Sequence, residues 1–438
     1  MNIHFSKKLI LYIFIVIIFI LLVIPGFYRE KPAFSADRDT YKSLRLFNEI
    51  LDMIEKNYVE EVDTKEIIDG AIKGMVKSLD PHSEYMSKQT YEDLQVGTKG
   101  EFGGLGIEIT IRDDILTVVS PIEDTPAFIA GIKAGDKIIG IDGEPTKGLT
   151  IMDAVHKLRG KKGTKVTVTI SREDFDRPKD FEITRDIIKI QSVKHKIYPE
   201  KIGYIKLSNF QETTLKELNK ALKEMAEKEP QIRGLALDLR NNPGGLLDQS
   251  VSVSDVFLKS GVIVSSKGRT KGTEKIYEAR DDGTEPEYPI VILINGGTAS
   301  ASEIVSGALR DNGRAVLLGT QTFGKGSVQI LRPLKDGSAL KLTIARYYTP
   351  DGRSIQATGI TPDIPVEFVK NNNNGEKIER LREKDLQGHI EGEAELPEEP
   401  AGSGEKTEAD KLLEDLQKDN QLKSAIDILK SWEIFKKM

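Results

Sequence analysis

"YPIVILINGGTASASEI", Tyr288 to Ile304, decides how the second half of the chain folds. It opens as an unbroken apolar run rich in β-branched side chains, the pattern of a strand buried on both faces. At Asn295 the composition turns to Gly, Thr, Ala and Ser, and from Ser300 onward "SASEIVSGALRDNG" has helical spacing. A buried strand that hands small hydroxyl residues straight to a helix is one half of a βα unit. The same grammar recurs around it. In "IRGLALDLRNNPGGLLDQSVSVSDVFL", Ile232 to Leu258, a continuous apolar strand passes through "NNPGG" into a helix. "KIGYIKLSNF" precedes the amphipathic "TLKELNKALKEMAEKEP", and "AVLLG" and "ALKLTIARYYTPDG" supply further strands. Helices alternating with buried strands predict a mixed sheet covered by helices, with ligands bound at the loops after the strand ends. That rule points to "RNNPGG" and "NGGTASAS".

Composition narrows the chemistry. The chain has 438 residues, enough for two or three domains at about 100 to 200 residues each. Its 63 basic and 69 acidic residues leave a net charge of −6 with no basic stripe, which argues against a nucleic-acid partner. Cysteine is absent, so disulfides, thiolate metal sites and a cysteine nucleophile are all excluded. Of the 5 histidines (His4, His82, His156, His195 and His389), none lies in a strand-end loop and no two have metal-ligand spacing. A zinc site and a Ser-His-Asp triad are therefore poorly supported.

At the N-terminus, Lys7 and Lys8 precede the uncharged run Leu9 to Ile24, which Pro25 and Gly26 break. As a helix it would be roughly 24 Å long, short for a hydrocarbon core of about 30 Å but long for a signal peptide. Residues 1–36 read either as a membrane anchor or as a signal peptide cleaved near "AFSA". In both cases the flanking lysines place the rest of the chain outside the cytoplasm. Residues 37–97 read as a helical arm with Leu46, Ile50 and Met53 on one face, which needs a partner surface.

Between residues 98 and 183 the period shortens to strands: "GLGIEITI", "ILTVVS", "DKIIGIDG" and "KVTVTIS". Two helix candidates separate them, the second N-capped by Thr150. "GLGI" followed by "SPIEDTPAFIAGIKAGDKIIGIDGEPTKG" resembles a bacterial PDZ domain. The resemblance implies that Gly104, Leu105, Gly106 and Ile107 offer backbone N–H groups to a peptide carboxylate, with Met152, Val155 and His156 on the groove helix. It also implies that Arg159, at the end of that helix, can gate activity; a solvated arginine complementing the helix dipole is the alternative.

If a serine here is a nucleophile, its base must be something other than histidine. Lysine qualifies once burial brings its pKa down from about 10.4. "TFGKGSVQ", Thr322 to Gln329, places Lys325 between two glycines that let the loop turn its side chain inward, and Gln329 can steady the amine without adding charge.

"LDLRNNPGG", "NGGTASASEI", "FGKGSVQ" and "YYTPDGRSIQATGITPD" together resemble the carboxyl-terminal processing proteases, PDZ-containing serine endopeptidases, over about residues 41 to 368. The resemblance implies an α+β / α/β multidomain chain whose protease core, residues 184–368, has a crotonase-like mixed sheet. It implies a nucleophile at Ser300, a base at Lys325 and an orienting role for Gln329. The oxyanion hole would be the N–H groups of Ala301 and Gly245, with Gly244 beside it. No metal or cofactor is implied. The expected partners are protein substrates with free apolar C-termini, a second copy of the chain through the arm, and a membrane through the N-terminal segment. Read without the family, "TASAS" is also a helix cap, "NNPGG" a helix-entry turn and "GKG" a hairpin. A non-catalytic PDZ scaffold and a crotonase-like enzyme acting on thioesters are the competing functions. Residues 369–408 read as an acidic linker and 409–438 as a last helix, with Leu422, Ile426, Leu429 and Trp432 for docking on the core, on a second copy or on a membrane.

Overall fold

The computed structural model describes residues 38–270, 272–369 and 419–435. The N-terminal segment 1–36, the linker beyond Val369 and residues 409–418 of the last helix lie outside the described residues. Among those described, no helix is long and apolar enough to cross a membrane. The chain divides into two compact units, Met1–Ile72 and Lys73–Met438.

The first unit holds α1 (Arg38–Asn57) and most of α2 (Thr64–Lys77). Leu46, Ile50 and Met53 are exposed along α1. The arm is helical as read, with one exception further on. Glu84–Met86 form a strand, β1, followed by α3 (Lys88–Lys99), which Ser87 caps and Gly100 ends in a left-handed turn.

The PDZ region begins at β2 (Glu101–Gly104) and continues through β3 (Ile107–Arg112), β4 (Ile115–Pro121), α4 (Pro126–Ile129), β5 (Lys137–Ile141) and β6 (Glu144–Pro145). It ends with α5 (Ile151–Leu158), β7 (Lys165–Ser171) and β8 (Lys179–Thr184). Thr150 caps α5, as the sequence predicts, and forms a reciprocal capping box with Asp153. The strands pair in the order β3-β4-β5-β7-β8 over a core that includes Ile138, Ala154, Val168 and Ile170. The domain's exit strand β9 (Asp186–Lys189) pairs antiparallel with its entry strand β2.

The protease-core region then runs β10 (Val193–Tyr198), β11 (Ile202–Leu207), α6 (Thr214–Lys228), β12 (Gly234–Asp238), α7 (Leu247–Asp255), β13 (Val262–Gly268) and β14 (Lys275–Glu278). After these come β15 (Ile290–Ile294), α8 (Ala301–Asp311), β16 (Ala315–Gly319), β17 (Ser327–Pro333), β18 (Ala339–Tyr348) and β19 (Ile364–Pro365), and α9 (Asn420–Phe435) closes the described chain. The main sheet has the order β10-β11-β12-β15-β16-β19, antiparallel at its first pair and parallel throughout the rest.

Alternation along these strands feeds two cores. Leu235 and Leu237 of β12 and Ile290 and Ile292 of β15 face the side of α6, α7 and α8, while Ala236, Val291 and Leu293 face Leu422, Ala425, Ile426 and Leu429 of α9. With both faces covered, the strands read as unbroken apolar runs. The described part of the last helix therefore docks on the core, one of the three surfaces its sequence leaves open. The strand Ala339–Tyr348 belongs to a second, antiparallel sheet with β1, β13, β14 and β17. Its sequence cannot distinguish the two sheets, because pairing partners are set by distant segments.

Gly234 lets α9 approach closely: a Cβ at that position would lie 2.8 Å from Leu429 Cδ2. Leu429 itself is 1 % exposed. Leu429→Ala is expected to destabilise the core by about 2 to 5 kcal/mol, the usual range for such a truncation, read as a lowered urea midpoint.

Candidate active site

Three neighbouring parallel strands, β12, β15 and β16, bring their C-terminal ends to one rim of the main sheet. From those ends leave the Gly244-Gly245 turn, the Ser300 turn and the Lys325 loop. The convergence of the three motifs is a consequence of strand order, which no single motif encodes.

Ser300 sits between β15 and α8 with φ 56° and ψ −115°, in the left-handed half of backbone space. For a residue with a Cβ, this costs on the order of 1–3 kcal/mol, so the surroundings must hold it there. A strained serine at a strand-to-helix turn is the geometry that lifts a nucleophile clear of its neighbours. Here the restraint is a carboxylate. Glu303, in the first turn of α8 and fully buried, reaches back so that its Oε2 accepts the Ser300 N–H at 2.7 Å. The same oxygen accepts the Lys325 N–H at 2.9 Å, and Oε1 accepts the Gly324 N–H at 2.8 Å and the Thr322 hydroxyl at 2.5 Å. One side chain thus anchors the serine turn and the lysine loop together.

Burial pushes the Glu303 carboxyl up to about 7, against the four donors, which favour the charged form. Four donors on two oxygens saturate an ionised carboxylate. Glu303 is the principal site residue that the sequence reading missed. Its signal was present as the S-x-x-E spacing of "SASE", which by itself marks only a helix start.

Gly244 packs directly against the serine turn. A Cβ there would stand 2.8 Å from Ser300 Cβ and 2.9 Å from the Ala301 nitrogen, and its φ of 100° suits glycine alone. Its N–H is occupied by Asn242 Oδ1 at 2.9 Å, while the Asn242 carbonyl accepts Ala299 N–H and Ser302 Oγ, both at 3.0 Å. Gly245, at φ 144°, is pressed against the Phe210 backbone, where a Cβ would meet the carbonyl oxygen at 2.1 Å. Thr298 completes the seam: its hydroxyl donates to the Leu239 carbonyl at 2.9 Å and its carbonyl accepts the Phe323 N–H at 3.0 Å.

Lys325 is half-buried in a loop cradled by residues 355–359. Gln356 Oε1 accepts the Gly326 N–H at 3.0 Å, and the Ala357 N–H donates to the Gly324 carbonyl at 2.8 Å. Gln329 lies on β17, its amide nitrogen donating to Ser327 Oγ at 2.8 Å and, at 3.4 Å, to Thr343 Oγ1. Ser302 and Ser306 are buried helix residues whose hydroxyls donate to backbone carbonyls.

In the PDZ region, Leu105 is buried, Gly106 has φ 78°, and Ile107 begins β3. Met152 on α5 is half exposed and Val155 is partly buried. His156 Nε2 lies 3.0 Å from Asp93 Oδ2, and Arg159 Nη1 donates to Asp93 Oδ1 at 3.2 Å with its guanidinium 4.7 Å above the Phe102 ring. Arg159 is thus held by α3 and β2 rather than freely solvated.

These features agree with similarity across the chain. Residues 201–366 match peptidase family S41, residues 103–184 the PDZ domain, and residues 29–90 the N-terminal domain of the activating protease CtpB. A carboxy-terminal-processing protease of Bartonella bacilliformis is 47% identical over 390 residues, covering 86% of this chain and 89% of that protein. The carboxy-terminal processing protease CtpA of Bacillus subtilis is 37% identical over 322 residues, covering 73% and 68%. Among solved structures, the photosystem II D1 C-terminal processing protease is similar at 30% identity and a TM-score of 0.43, covering 74% of this chain and 92% of that one. The chain belongs to the carboxy-terminal-processing proteases, serine endopeptidases of family S41 that carry a PDZ domain.

Glu303→Gln leaves at least two of the four donors facing no acceptor, at about 1–3 kcal/mol each; kcat is expected to fall at least tenfold. The raised carboxyl has a further consequence. Between the unfolded value near 4.5 and the folded value near 7 the native state holds a proton that the unfolded chain has lost, so this group's contribution to stability falls as pH rises through that window. Urea midpoints measured from pH 4 to 8 should show a falling component in the wild type that is missing from Glu303→Gln.

Proposed function

We propose that the protein cleaves extracytoplasmic protein substrates, captured by their free C-termini, using Ser300 as nucleophile and Lys325 as general base. The observation that carries this reading is the shared anchor: one oxygen of Glu303 holds the backbone of the strained serine and that of the loop lysine. The Lys325 amine, in its neutral form, removes the Ser300 hydroxyl proton as Oγ attacks the scissile carbonyl. The N–H groups of Gly245 and Ala301 face the resulting oxyanion, the second from the positive end of α8. Collapse expels the new amine, which takes the proton from Lys325, and water then releases the acyl group by the same route in reverse. Gln329 orients the amine from β17. The N–H of Gly244, already committed to Asn242, supports the turn rather than the oxyanion.

Substrate enters through the PDZ domain. Its terminal carboxylate meets the backbone of residues 104–107, and its apolar last side chain packs against Ile107, Met152 and Val155, beside His156. Arg159 lies close to that loop, its Cγ 4.0 Å from where a Cβ on Gly104 would stand. An arriving carboxylate competes with Asp93 for the guanidinium, which gives Arg159 its gating role. The exposed apolar face of α1 serves self-association, and the apolar segment at the N-terminus directs the chain across the membrane or anchors it there.

Cleavage of a tailed protein ending in an apolar residue tests the assignment against the scaffold and thioester readings. Wild type should cleave it, while Ser300→Ala and Lys325→Ala each reduce kcat by at least about a thousandfold. Undiminished cleavage by Ser300→Ala overturns the mechanism. Arg159→Ala should still bind the C-terminal peptide, measured by fluorescence anisotropy, but lose the peptide's stimulation of cleavage.

A further inference from the structure

The root of the glycine turn carries a charge cluster that the proposed chemistry does not use. Arg240, which directly precedes "NNPGG", is 7 % exposed. Its Nε donates to Asp238 Oδ1 at 3.0 Å and its Nη2 to Asp238 Oδ2 at 2.8 Å. The other edge of the guanidinium is taken from 179 residues away in sequence. Nη1 and Nη2 donate to the two carboxylate oxygens of Asp419 at 2.7 and 2.6 Å, and Nη1 also to Gln421 Oε1 at 3.1 Å. Asp419 also caps α9, accepting the Leu422 N–H at 3.0 Å. Burial works against charge on both groups, yet the hydrogen bonds and charges of Arg240 and Lys206 hold the Asp238 carboxyl below its usual range, and the Asp238 and Asp419 carboxylates keep Arg240 protonated.

The same first turn of α9 grips the segment that follows β19. Gln421 Nε2 donates to the Val366 carbonyl at 2.6 Å, Asn420 Nδ2 to the Glu367 carbonyl at 2.7 Å, and the Val369 N–H to Asn420 Oδ1 at 3.0 Å. Val366 N–H in turn donates to the Gly319 carbonyl at 2.9 Å, at the end of β16 from which the Lys325 loop departs. One helix turn therefore touches Arg240, just past the strand that leads to the glycine turn, and the segment after β19, which pairs with the end of the strand that leads to the lysine loop.

Docking α9 does not require these charges, because Leu422, Ala425, Ile426 and Leu429 already fill an apolar face of the sheet. A buried ion pair is weak evidence of net stability, because the cost of desolvating its charges offsets their attraction. We infer that Asp419 and Gln421 are positioning residues of the active site, acting through Arg240 on the turn that presents Gly245. The inference rests on the assignment of Gly245 to the oxyanion hole proposed above. Arg240 is followed by Asn241 at φ 58° and then by Asn242, whose side chain and carbonyl hold Gly244 and Ala299. A shift at Arg240 is passed directly to those contacts.

The experiment compares full-length Asp419→Asn with Leu429→Ala, which weakens α9 packing without touching Arg240. Each is measured for thermal midpoint, KM, kcat and the rate of acyl-enzyme formation from an activated ester. Asp419→Asn is expected to lower kcat and the acylation rate at least tenfold with KM little changed. Leu429→Ala is expected to lower the midpoint and keep kcat at temperatures where it remains folded. If kcat of Asp419→Asn equals the wild type, or follows the thermal midpoint as in Leu429→Ala, the helix is a buttress only and the inference is wrong. Ser300→Ala run alongside separates the two levels: an inactive Ser300→Ala with a fully active Asp419→Asn overturns this inference alone, whereas an active Ser300→Ala overturns the mechanism on which it rests.

Discussion

The buried carboxylate of Glu303 is the constraint on which the rest of the site depends. A serine at φ 56° is unfavourable in isolation, and a loop such as "TFGKG" has no regular structure to hold it. Four donors converging on one side chain solve both problems together, since neither loop can move without unpairing a buried carboxylate. That cost is high in a region of low dielectric. The raised pKa shows the tension: the environment resists the charge that the hydrogen bonds require.

Around this anchor, the sheet supplies alignment and the loops supply chemistry. Parallel pairing of β12, β15 and β16 sets three carboxyl ends side by side, and glycine lets the backbone of one turn approach the side chain of the next. The hydrogen bonds of Asn242 and Thr298 then stitch neighbouring loops together, so the rim behaves as one assembly rather than three independent loops. Charges on the opposite face, centred on Arg240, fix the first of these strands where it leaves the sheet.

The PDZ domain joins the same assembly through its entry and exit strands. Its two connecting strands pair with each other, and the loop between β11 and α6 touches both sides: Glu212 N–H donates to the Thr98 carbonyl at 3.0 Å, while Phe210 N–H donates to the Gly244 carbonyl at 2.9 Å. The contact with Thr98 on the PDZ side is therefore two residues removed from the contact with the glycine turn. Gln211, buried between those contacts with neither amide atom paired among the described residues, lies against Gly100.

Much of this was legible in the chain. Periodicity alone separates the PDZ strands, the α/β core and the arm, because burial on one face or two leaves its mark on adjacent residues. The turns carrying Ser300, Lys325 and Gly245 stand out because small residues interrupt apolar runs there, and likeness to a known family gave them roles. Other features were not legible. "LDLR" gives no sign that Arg240 meets Asp419, "SASE" does not announce that Glu303 will hold Lys325, and "ALKLTIARYY" does not say which sheet it joins. Local pattern records whether a residue is buried and in what kind of element. Which distant segments share that burial, and so which ionisable groups find partners, is decided only when strand order and helix docking close the loops between them.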